Sequence, residues 1–329
     1  MVGRRWVVLW LGAGMLAPLA TFAQQQLKVW RIGLLQLSSK KYFVDGGFQK
    51  AFLEGMRERG YTLHTDFVVE ERFADGEAGR LPALARELVR IPVDLILTSG
   101  TQANRAAQQA TTTIPVVTVA EADPVGNGLA VSLARPGKNI TGLSTLFGDT
   151  IIKNMEFLTS IVPRLSRLAV LTNPSNEGSK AQLDTIRAAA LKARINVLAL
   201  DATNVEEIAL AIETMQREKA QALLVLPDSI FSSQMAVIAR LALKHRLPSS
   251  YVQNRYPELG GLISYGRDNV DNWRLGAAFI ERIFKGARPG DLPFEQPATF
   301  QLVLNMKTAQ TLGVKIPRAI LLQATNVIE

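Results

Sequence analysis

Short apolar runs alternate with amphipathic stretches from about residue 27 almost to the end of the chain. The apolar runs are rich in Val, Ile and Leu at consecutive positions, as strands are when helices cover both faces of their sheet. The runs before residue 260 that we interpret as strands are 31–37, 67–73, 93–98, 115–120, 167–172, 195–200, 222–226 and 249–252. This order predicts repeated βαβ units and therefore an α/β fold with parallel sheets.

The stretches between these strands have the spacing of helices that bury one face. Apolar residues recur at intervals of three and four at positions 81, 84, 85, 88 and 89, and again at 208, 211, 212 and 215. We interpret both stripes as packing surfaces and give them no functional role.

Two breaks divide the alternation into halves of similar architecture. Residues 142–150 show neither the apolar run of a strand nor the three-and-four spacing of a helix, and Gly260-Gly261 marks a second break. The tail beyond it contains a predicted helix near 270–284, a strand near 299–304 and a short helix near 308–312, too little for a third domain. We predict two doubly wound lobes joined by a hinge, the first from residues 28–145 with 266–293 and the second from 146–265 with 294–329.

The first 23 residues have the pattern of a cleaved secretory signal. A short basic start with Arg4 and Arg5 precedes an apolar run, and Thr21-Phe-Ala23 supplies the small residues of a cleavage site. A membrane anchor is the alternative, but the run is shorter than the roughly 20 residues of a spanning helix. Because no cysteine follows the signal to carry a lipid, we expect a freely diffusing periplasmic protein.

Composition excludes several classes of function. The 329 residues include no cysteine and two histidines, which removes thiol nucleophiles and thiolate metal sites and makes imidazole-based catalysis less expected. Lys and Arg number 37 against 29 Asp and Glu, but the basic residues are interleaved with acids, so we expect no nucleic-acid partner. Phosphate-binding, nucleophile-elbow and zinc motifs are missing from the sequence. We therefore predict no cofactor, no metal and no enzymatic activity.

Small polar residues follow the predicted strands in both halves of the chain. In an open α/β sheet ligands bind beyond the carboxyl ends of the strands, so these positions are candidate ligand contacts. Helix capping explains any one of them equally well, whereas their recurrence in both halves favours a shared crevice. The candidates are Ser38, Ser39, Ser99, Thr101, Asp123, Asn173 and Asp228.

For four of the candidate side chains, a role in ligand binding competes with a specific role in local structure. Asp123 and Asp228 can pair with a ligand ammonium, or cap a turn. Tyr251 and Tyr265 each end an apolar run, where an aromatic ring can stack on a ligand or simply pack inside a lobe. The residues alone leave these alternatives open.

An ordered set of motifs resembles one known family over nearly all of the chain after residue 27. The motifs are Leu81-Pro-Ala-Leu-Ala-Arg-Glu-Leu-Val89, Ser99-Gly-Thr101, Asp123-Pro-Val-Gly126, Leu133-Ala-Arg-Pro-Gly137, Leu223-Leu-Val-Leu-Pro-Asp228, Ser264-Tyr-Gly266 and Leu292-Pro-Phe-Glu-Gln-Pro297. They are similar to the ABC transporter substrate-binding proteins that include tryptophan- and tyrosine-type binding proteins. The resemblance implies the two-lobed periplasmic binding-protein fold of type I, shared with leucine-binding proteins.

The resemblance also implies a site and a function. It places Ser38, Ser99, Thr101, Asp123, Asn173, Asp228, Tyr251 and Tyr265 at the crevice, and Ser39 is added on its strand-end position alone. Members often carry a Ser-Pro loop after the first strand, where this chain has Leu37-Ser-Ser-Lys40.

The function implied is capture of a small molecule between two lobes, first of all an aromatic or branched-chain amino acid, for delivery to an ABC permease in the inner membrane. Crossing segments near 142–146, 266 and 297 are expected to bend as the lobes close. The alternative is a periplasmic sensor that docks on a signalling receptor.

Overall fold

The computed structural model describes residues 28–145, 147–296 and 300–329. The predicted signal peptide, residues 1–23, lies outside these ranges. The strands within them are β1 (Trp30–Gln36), β2 (Phe67–Phe73), β3 (Leu95–Thr98), β4 (Val116–Glu121), β5 (Ile140–Ser144), β6 (Arg167–Thr172), β7 (Asn196–Asp201), β8 (Ala222–Val225), β9 (Ser249–Tyr251), β10 (Ile263–Arg267), β11 (Phe300–Asn305) and β12 (Asn326–Ile328).

Helices connect most of these strands, as the alternating pattern predicts. They are α1 (Lys40–Asp45), α2 (Phe48–Arg57), α3 (Leu81–Arg90), α4 (Thr101–Ala110), α5 (Phe147–Ile161), α6 (Glu177–Lys192), α7 (Val205–Arg217), α8 (Ser229–Ser233), α9 (Met235–Lys244), α10 (Arg255–Glu258), α11 (Asn269–Phe284), α12 (Met306–Leu312) and α13 (Arg318–Leu321). None of the helices in the described ranges is long and apolar enough to cross a membrane.

The strands form two sheets, one in each lobe. The first sheet has the order β2-β1-β3-β4-β5 and the second the order β12-β11-β10-β9-β8-β6-β7. The pairs in both sheets are parallel except β10 with β11, which run antiparallel. The predicted fold of two parallel-sheet α/β lobes is confirmed, and the antiparallel pair is an addition that the apolar pattern did not indicate.

The hydrophobic pattern missed three strands, β5, β10 and β12, of which the first two lie where the chain leaves a sheet. β5 and β10 are short and each contains a glycine, so neither shows a long apolar run. A Cβ at Gly142 would lie 1.9 Å from the carbonyl oxygen of Thr118, and one at Gly266 would lie 1.8 Å from that of Val252. Glycine is therefore required at both positions, because only a residue without Cβ lets the neighbouring backbone approach so closely.

The chain passes from one lobe to the other after β5, after β10 and before β11. α5, which follows the first passage, packs against α6, β9 and β10 of the second lobe, whereas α11 returns to pack against α2, β4 and β5. The expected boundary at residue 266 falls inside β10. Glu295 still pairs with the first lobe, donating its N–H to the Gly142 carbonyl at 3.0 Å.

Polar side chains tie the crossing strands together. Arg267, at the end of β10, donates through Nη1 to the Ser144 carbonyl at the end of β5, at 2.8 Å. Asn154 of α5 bonds to both the N–H and the carbonyl of Tyr265, at 3.1 and 2.6 Å. These bonds hold the ends of β5 and β10 side by side at the passages between the lobes.

Candidate ligand-binding cleft

A cavity of about 110 Å³ lies between the lobes, at the carboxyl ends of the strands of both sheets. The side chains around it separate into an apolar and a polar group. The larger apolar ones are Tyr42, Phe43, Phe48, Val119 and Trp273, and the polar ones are Gln36, Ser38, Ser99, Thr101, Gln102, Asn176, Gln182, Asp228, Ser229, Ser232, Gln253, Asn269 and Asn272.

The aromatic wall, which we define as Tyr42, Phe43, Phe48 and Trp273, belongs entirely to the first lobe. Phe43 meets Trp273 edge to face with ring centroids 4.9 Å apart, and Phe48 lies 6.2 Å from Trp273. Tyr42 lies 5.4 Å from Phe48. The rings are brought together because α2 packs along α11. Rings in mutual contact make a rigid apolar surface on which a flat ligand group can stack.

The start of α4 offers main-chain donors to the same cavity. Gly100 is its N-cap and supplies no side-chain acceptor, and its φ of 87° is one that glycine adopts without strain. The first N–H groups of a helix have no partner within the helix and carry the positive end of its dipole. Ser99 and Thr101 add hydroxyls on either side. This arrangement suits an anionic group such as a carboxylate.

Asp228 faces the cavity from the second lobe and is only 5% exposed. Its Oδ1 accepts the Ile230 N–H at 2.7 Å, and its Oδ2 accepts the amides of Asn173 at 3.1 Å and Asn176 at 2.9 Å. Burial raises the pKa of this carboxyl above its ordinary value, although the hydrogen bonds act to lower it. A cation placed beside it would compensate the desolvation of its charge.

The lobes touch at the mouth of the cavity. Gln102 of α4 donates Nε2 to the Ser175 carbonyl of the second lobe at 3.0 Å, and Arg105 forms an ion pair with Glu177. The Tyr42 hydroxyl lies beside Ser232 of the second lobe, and burial raises its pKa to about 12. The two lobes are therefore in direct contact at the mouth of the cavity.

Four of the sequence-predicted residues line the cavity: Ser38, Ser99, Thr101 and Asp228. Asn173 lies directly behind Asp228 and holds it through the 3.1 Å bond. Ligand contact by these residues remains a prediction, but the structure does bring them together from both lobes.

The other four predicted residues have roles in local structure. Ser39 caps α1 by accepting the Tyr42 N–H, and Asp123 accepts the Gly126 N–H at 2.8 Å. Tyr251 stacks on Tyr256 with ring centroids 3.9 Å apart, and Tyr265 stacks on Phe300 at 5.5 Å. The structure does not place these four among the side chains that line the cavity.

Sequence reasoning missed much of the lining, including the aromatic wall and the amides of Gln36, Gln182 and Asn272. Each of these three amides has one buried atom without a hydrogen-bond partner among the described residues. The strand-end rule does not reach Gln182 and Asn272, which lie inside α6 and α11, and it passes over Gln36 because that residue is the last one of β1 itself and not one that follows it. One signal was available: Asn269 and Asn272 stand at the start of the helix that follows Ser264-Tyr-Gly266.

No group of three or more His, Asp or Glu side chains in the described ranges is arranged to hold a metal ion. The cavity instead combines an apolar wall, an anion-binding helix start and a buried carboxylate. The chemistry available is recognition of a small molecule that carries both charges and an apolar group.

Comparison with known proteins is consistent with this site. The family described as ABC transporter substrate binding protein matches residues 44–328. A tyrosine-binding protein of Clostridioides difficile is 26% identical over 268 residues, which cover 81% of this chain and 76% of that protein.

Two solved structures match nearly the whole chain. The ABC domain in complex with L-Trp from Streptococcus pneumoniae is 28% identical with a TM-score of 0.83, covering 92% of this chain and all of that one. A conserved domain protein from Vibrio cholerae is 27% identical with a TM-score of 0.85, covering 91% of this chain and all of that one.

Proposed function

The chain belongs to the family of ABC transporter substrate-binding proteins, and we propose that it captures an aromatic amino acid and delivers it to an ABC permease. The family consists of extracytoplasmic solute-binding proteins, not enzymes. We further propose that residues 1–23 direct export and are cleaved, so that the protein works in the periplasm.

The observation that carries the proposal is the division of the cavity into three chemically distinct parts. The start of α4 suits the ligand carboxylate, the buried Asp228 suits its ammonium, and the aromatic wall suits an aromatic side chain. An aromatic amino acid carries the carboxylate, the ammonium and the aromatic side chain on a single α-carbon. A neutral sugar would have no ammonium to pair with Asp228 and no carboxylate for the start of α4.

Two relatives favour an aromatic ligand over a branched-chain one, which the residues alone left open. One relative is a tyrosine-binding protein and another was solved with L-Trp. Four rings on one side of this cavity support the same choice.

Ligand binding favours closure because the complementary groups lie on different lobes. The wall and the α4 start belong to the first lobe and Asp228 to the second, so a ligand contacts all of them only when the lobes are together. A ligand shifts a conformational equilibrium by its difference in affinity for the two states. The closed form is then the state that a permease recognises.

Calorimetric titration of residues 24–329 with L-tryptophan, L-tyrosine, L-phenylalanine, L-leucine and L-isoleucine tests the ligand class. At about 100 times its Kd a ligand should add about 2.7 kcal/mol to the free energy of unfolding, which a melting curve readily shows. We expect the aromatic amino acids to bind more tightly than the aliphatic ones. The absence of binding by all five would refute the proposal.

Uptake of labelled amino acid by cells with and without the chain tests delivery. Loss of uptake on deletion is expected for a transport receptor. Unchanged uptake with loss of a transcriptional or motile response would support the signalling alternative instead.

A further inference from the structure

A buried amide with unused hydrogen-bonding capacity lines the cavity on the first lobe. Gln36 is the last residue of β1 and is only 5% exposed. Its Nε2 is buried and has no hydrogen-bond acceptor among the described residues. A buried donor without an acceptor is costly to the folded protein, so its presence in a cavity indicates an acceptor from outside the chain.

The register of the first sheet places Gln36 beside the start of α4. β1 pairs in parallel with β3, with Leu35 opposite Thr98. The residues that follow these two, Gln36 and Ser99, therefore lie side by side where the strands end. Neighbouring strands are about 4.8 Å apart, a distance that a glutamine side chain can span. Ser99 directly precedes Gly100, the N-cap of α4, and both line the cavity with Gln36.

Gln36 also lies on the face of the sheet that carries the aromatic wall. Side chains of a strand alternate between the two faces. Leu34, two residues before Gln36, belongs to the same core cluster as Phe48 and Trp273, whereas Leu35 packs on the opposite face with residues of α3 and α4. Gln36 is therefore on the side of β1 that faces the aromatic wall, next to the strand end that leads into α4.

Two other polar side chains at the α4 start use hydrogens within the protein. The Thr101 hydroxyl donates to the Glu121 carboxylate at 3.1 Å, and the Gln102 amide donates to the Ser175 carbonyl at 3.0 Å. The Gln36 amide carries two hydrogens, and its nitrogen has no acceptor among the described residues. A carboxylate only accepts hydrogen bonds, so it is a suitable partner for this unused donor.

We propose that Gln36 donates its amide hydrogens to the carboxylate of the bound amino acid, together with the first N–H groups of α4. This inference rests on the proposed function and deepens it, because it assigns the ligand carboxylate a side-chain contact on the first lobe. The terminal torsion of glutamine is broad, so the amide can turn its nitrogen toward the ligand at little cost. Binding then supplies the acceptor that the free protein lacks.

Three related probes separate recognition of the carboxylate from a general effect on the cleft. They are L-tryptophan, tryptamine, which lacks the carboxylate, and 3-(indol-3-yl)propionate, which lacks the ammonium. Competition titration measures their affinities, so that a probe with weak binding is also compared.

Two variants change the amide and keep the length of the side chain. Gln36→Met removes the donors, and Gln36→Glu replaces them by a negative charge at about pH 8, where a carboxyl is ordinarily ionised. Gln109→Met is the matched control, since Gln109 is an exposed glutamine of α4 that does not line the cavity.

We expect Gln36→Met to weaken binding of L-tryptophan and the propionate about tenfold and to leave tryptamine within about twofold, because a hydrogen bond to a charged group is lost. Gln36→Glu should weaken the same two ligands further and should not weaken tryptamine, because a negative charge repels only the ligands that carry a carboxylate. Gln109→Met should keep all three wild-type affinities.

The melting temperature of free Gln36→Met should be no lower than that of the wild type, because the substitution removes a buried donor that has no partner in the chain. Melting curves also show whether each variant folds, and Gln36→Glu provides the binding test if Gln36→Met does not fold.

Equal loss for all three probes, or no loss for L-tryptophan and the propionate, would overturn the role of Gln36 while leaving the proposed function in place. Failure of the wild-type chain to bind L-tryptophan, L-tyrosine or L-phenylalanine would overturn both.

Discussion

On the proposed function, the buried carboxylate of Asp228 should make ligand affinity depend on pH. Burial raises the pKa of Asp228, so in the free protein this group takes up a proton at a higher pH than an ordinary aspartate does. A ligand ammonium pairs only with the ionised form. Affinity should therefore fall as the pH drops through the raised pKa, by up to about tenfold per pH unit, because one proton is taken up before the ligand can bind.

The same titration has the opposite effect on the stability of the free protein. A carboxyl whose folded pKa lies above its unfolded pKa destabilises the fold when ionised, and this penalty disappears as the pH falls through the folded pKa. The free energy of unfolding of the free protein should thus gain a contribution from Asp228 toward acid pH, while affinity declines. At acid pH the titration of Asp228 lowers the affinity but raises the free energy of unfolding, whereas general acid denaturation lowers both quantities.

The variant Asp228→Asn measures how much the charge of Asp228 contributes to ligand affinity. The side chain is 5% exposed and Oδ1 caps Ile230, a bond that asparagine can keep. Loss of the charge should cost about 2 kcal/mol of binding, roughly 30-fold in Kd, the value of a hydrogen bond to a charged group. Titration calorimetry over about pH 7 to 4 should show a sloping affinity for the wild type and a flat one for the variant. A wild-type affinity that does not change with pH, or a variant with unchanged Kd, would refute the reasoning.

Three further substitutions test the aromatic wall, the hinge and the contact at the mouth of the cavity, and a fourth, Gly60→Ala, is the control for the hinge variant. Trp273→Leu should lower affinity for L-tryptophan about tenfold and change that for L-leucine little, measured by competition titration. Gly142→Ala should lower the free energy of unfolding by at least about 2 kcal/mol in urea, since its Cβ would meet the Thr118 carbonyl oxygen at 1.9 Å. Gly60→Ala, which has φ of 84° and no atom within 4 Å of the added Cβ, should cost only about 1 kcal/mol. Arg105→Ala removes a half-exposed ion pair across the mouth and should weaken binding by no more than about fivefold, through faster dissociation in stopped-flow measurements. An effect of Arg105→Ala on the melting temperature of the free protein as large as that of Gly142→Ala would contradict its assignment to closure.

The sequence predicts the strands that carry long apolar runs because such runs fit a sheet buried on both faces. It does not predict β5 and β10, since close backbone approach at Gly142 and Gly266 requires glycine where the pattern needs a large apolar residue. Their pairing is set by the neighbouring strands β4 and β9, which are distant along the chain. Periodicity is a local property, so it cannot report a strand whose place depends on such partners.

The strand-end rule identifies cavity-lining residues where they stand within three residues of the end of a strand, as Ser38, Ser99 and Asp228 do, and their contact with a ligand stays a prediction. It fails for Tyr251, which is fully buried against another tyrosine, because a polar tip at a strand end is equally suited to packing. It cannot reach Trp273, which enters the cleft only because α11 returns from the second lobe to the first. Finding that residue requires the topology of the crossing segments as well as the order of the elements.

The distribution of the site over the lobes implies an order of events. The aromatic wall and the α4 start lie together on the first lobe, so on the proposed function an open protein should already hold the side chain and carboxylate of an amino acid there. Asp228 and the Gln102 to Ser175 bond become available only on closure. A ligand without an ammonium would use the first set of contacts and gain nothing at Asp228, and it would bind without favouring the closed state. On the proposed function, selection for the whole amino acid should therefore take place at the closing step, where the second lobe brings Asp228 to the ligand ammonium.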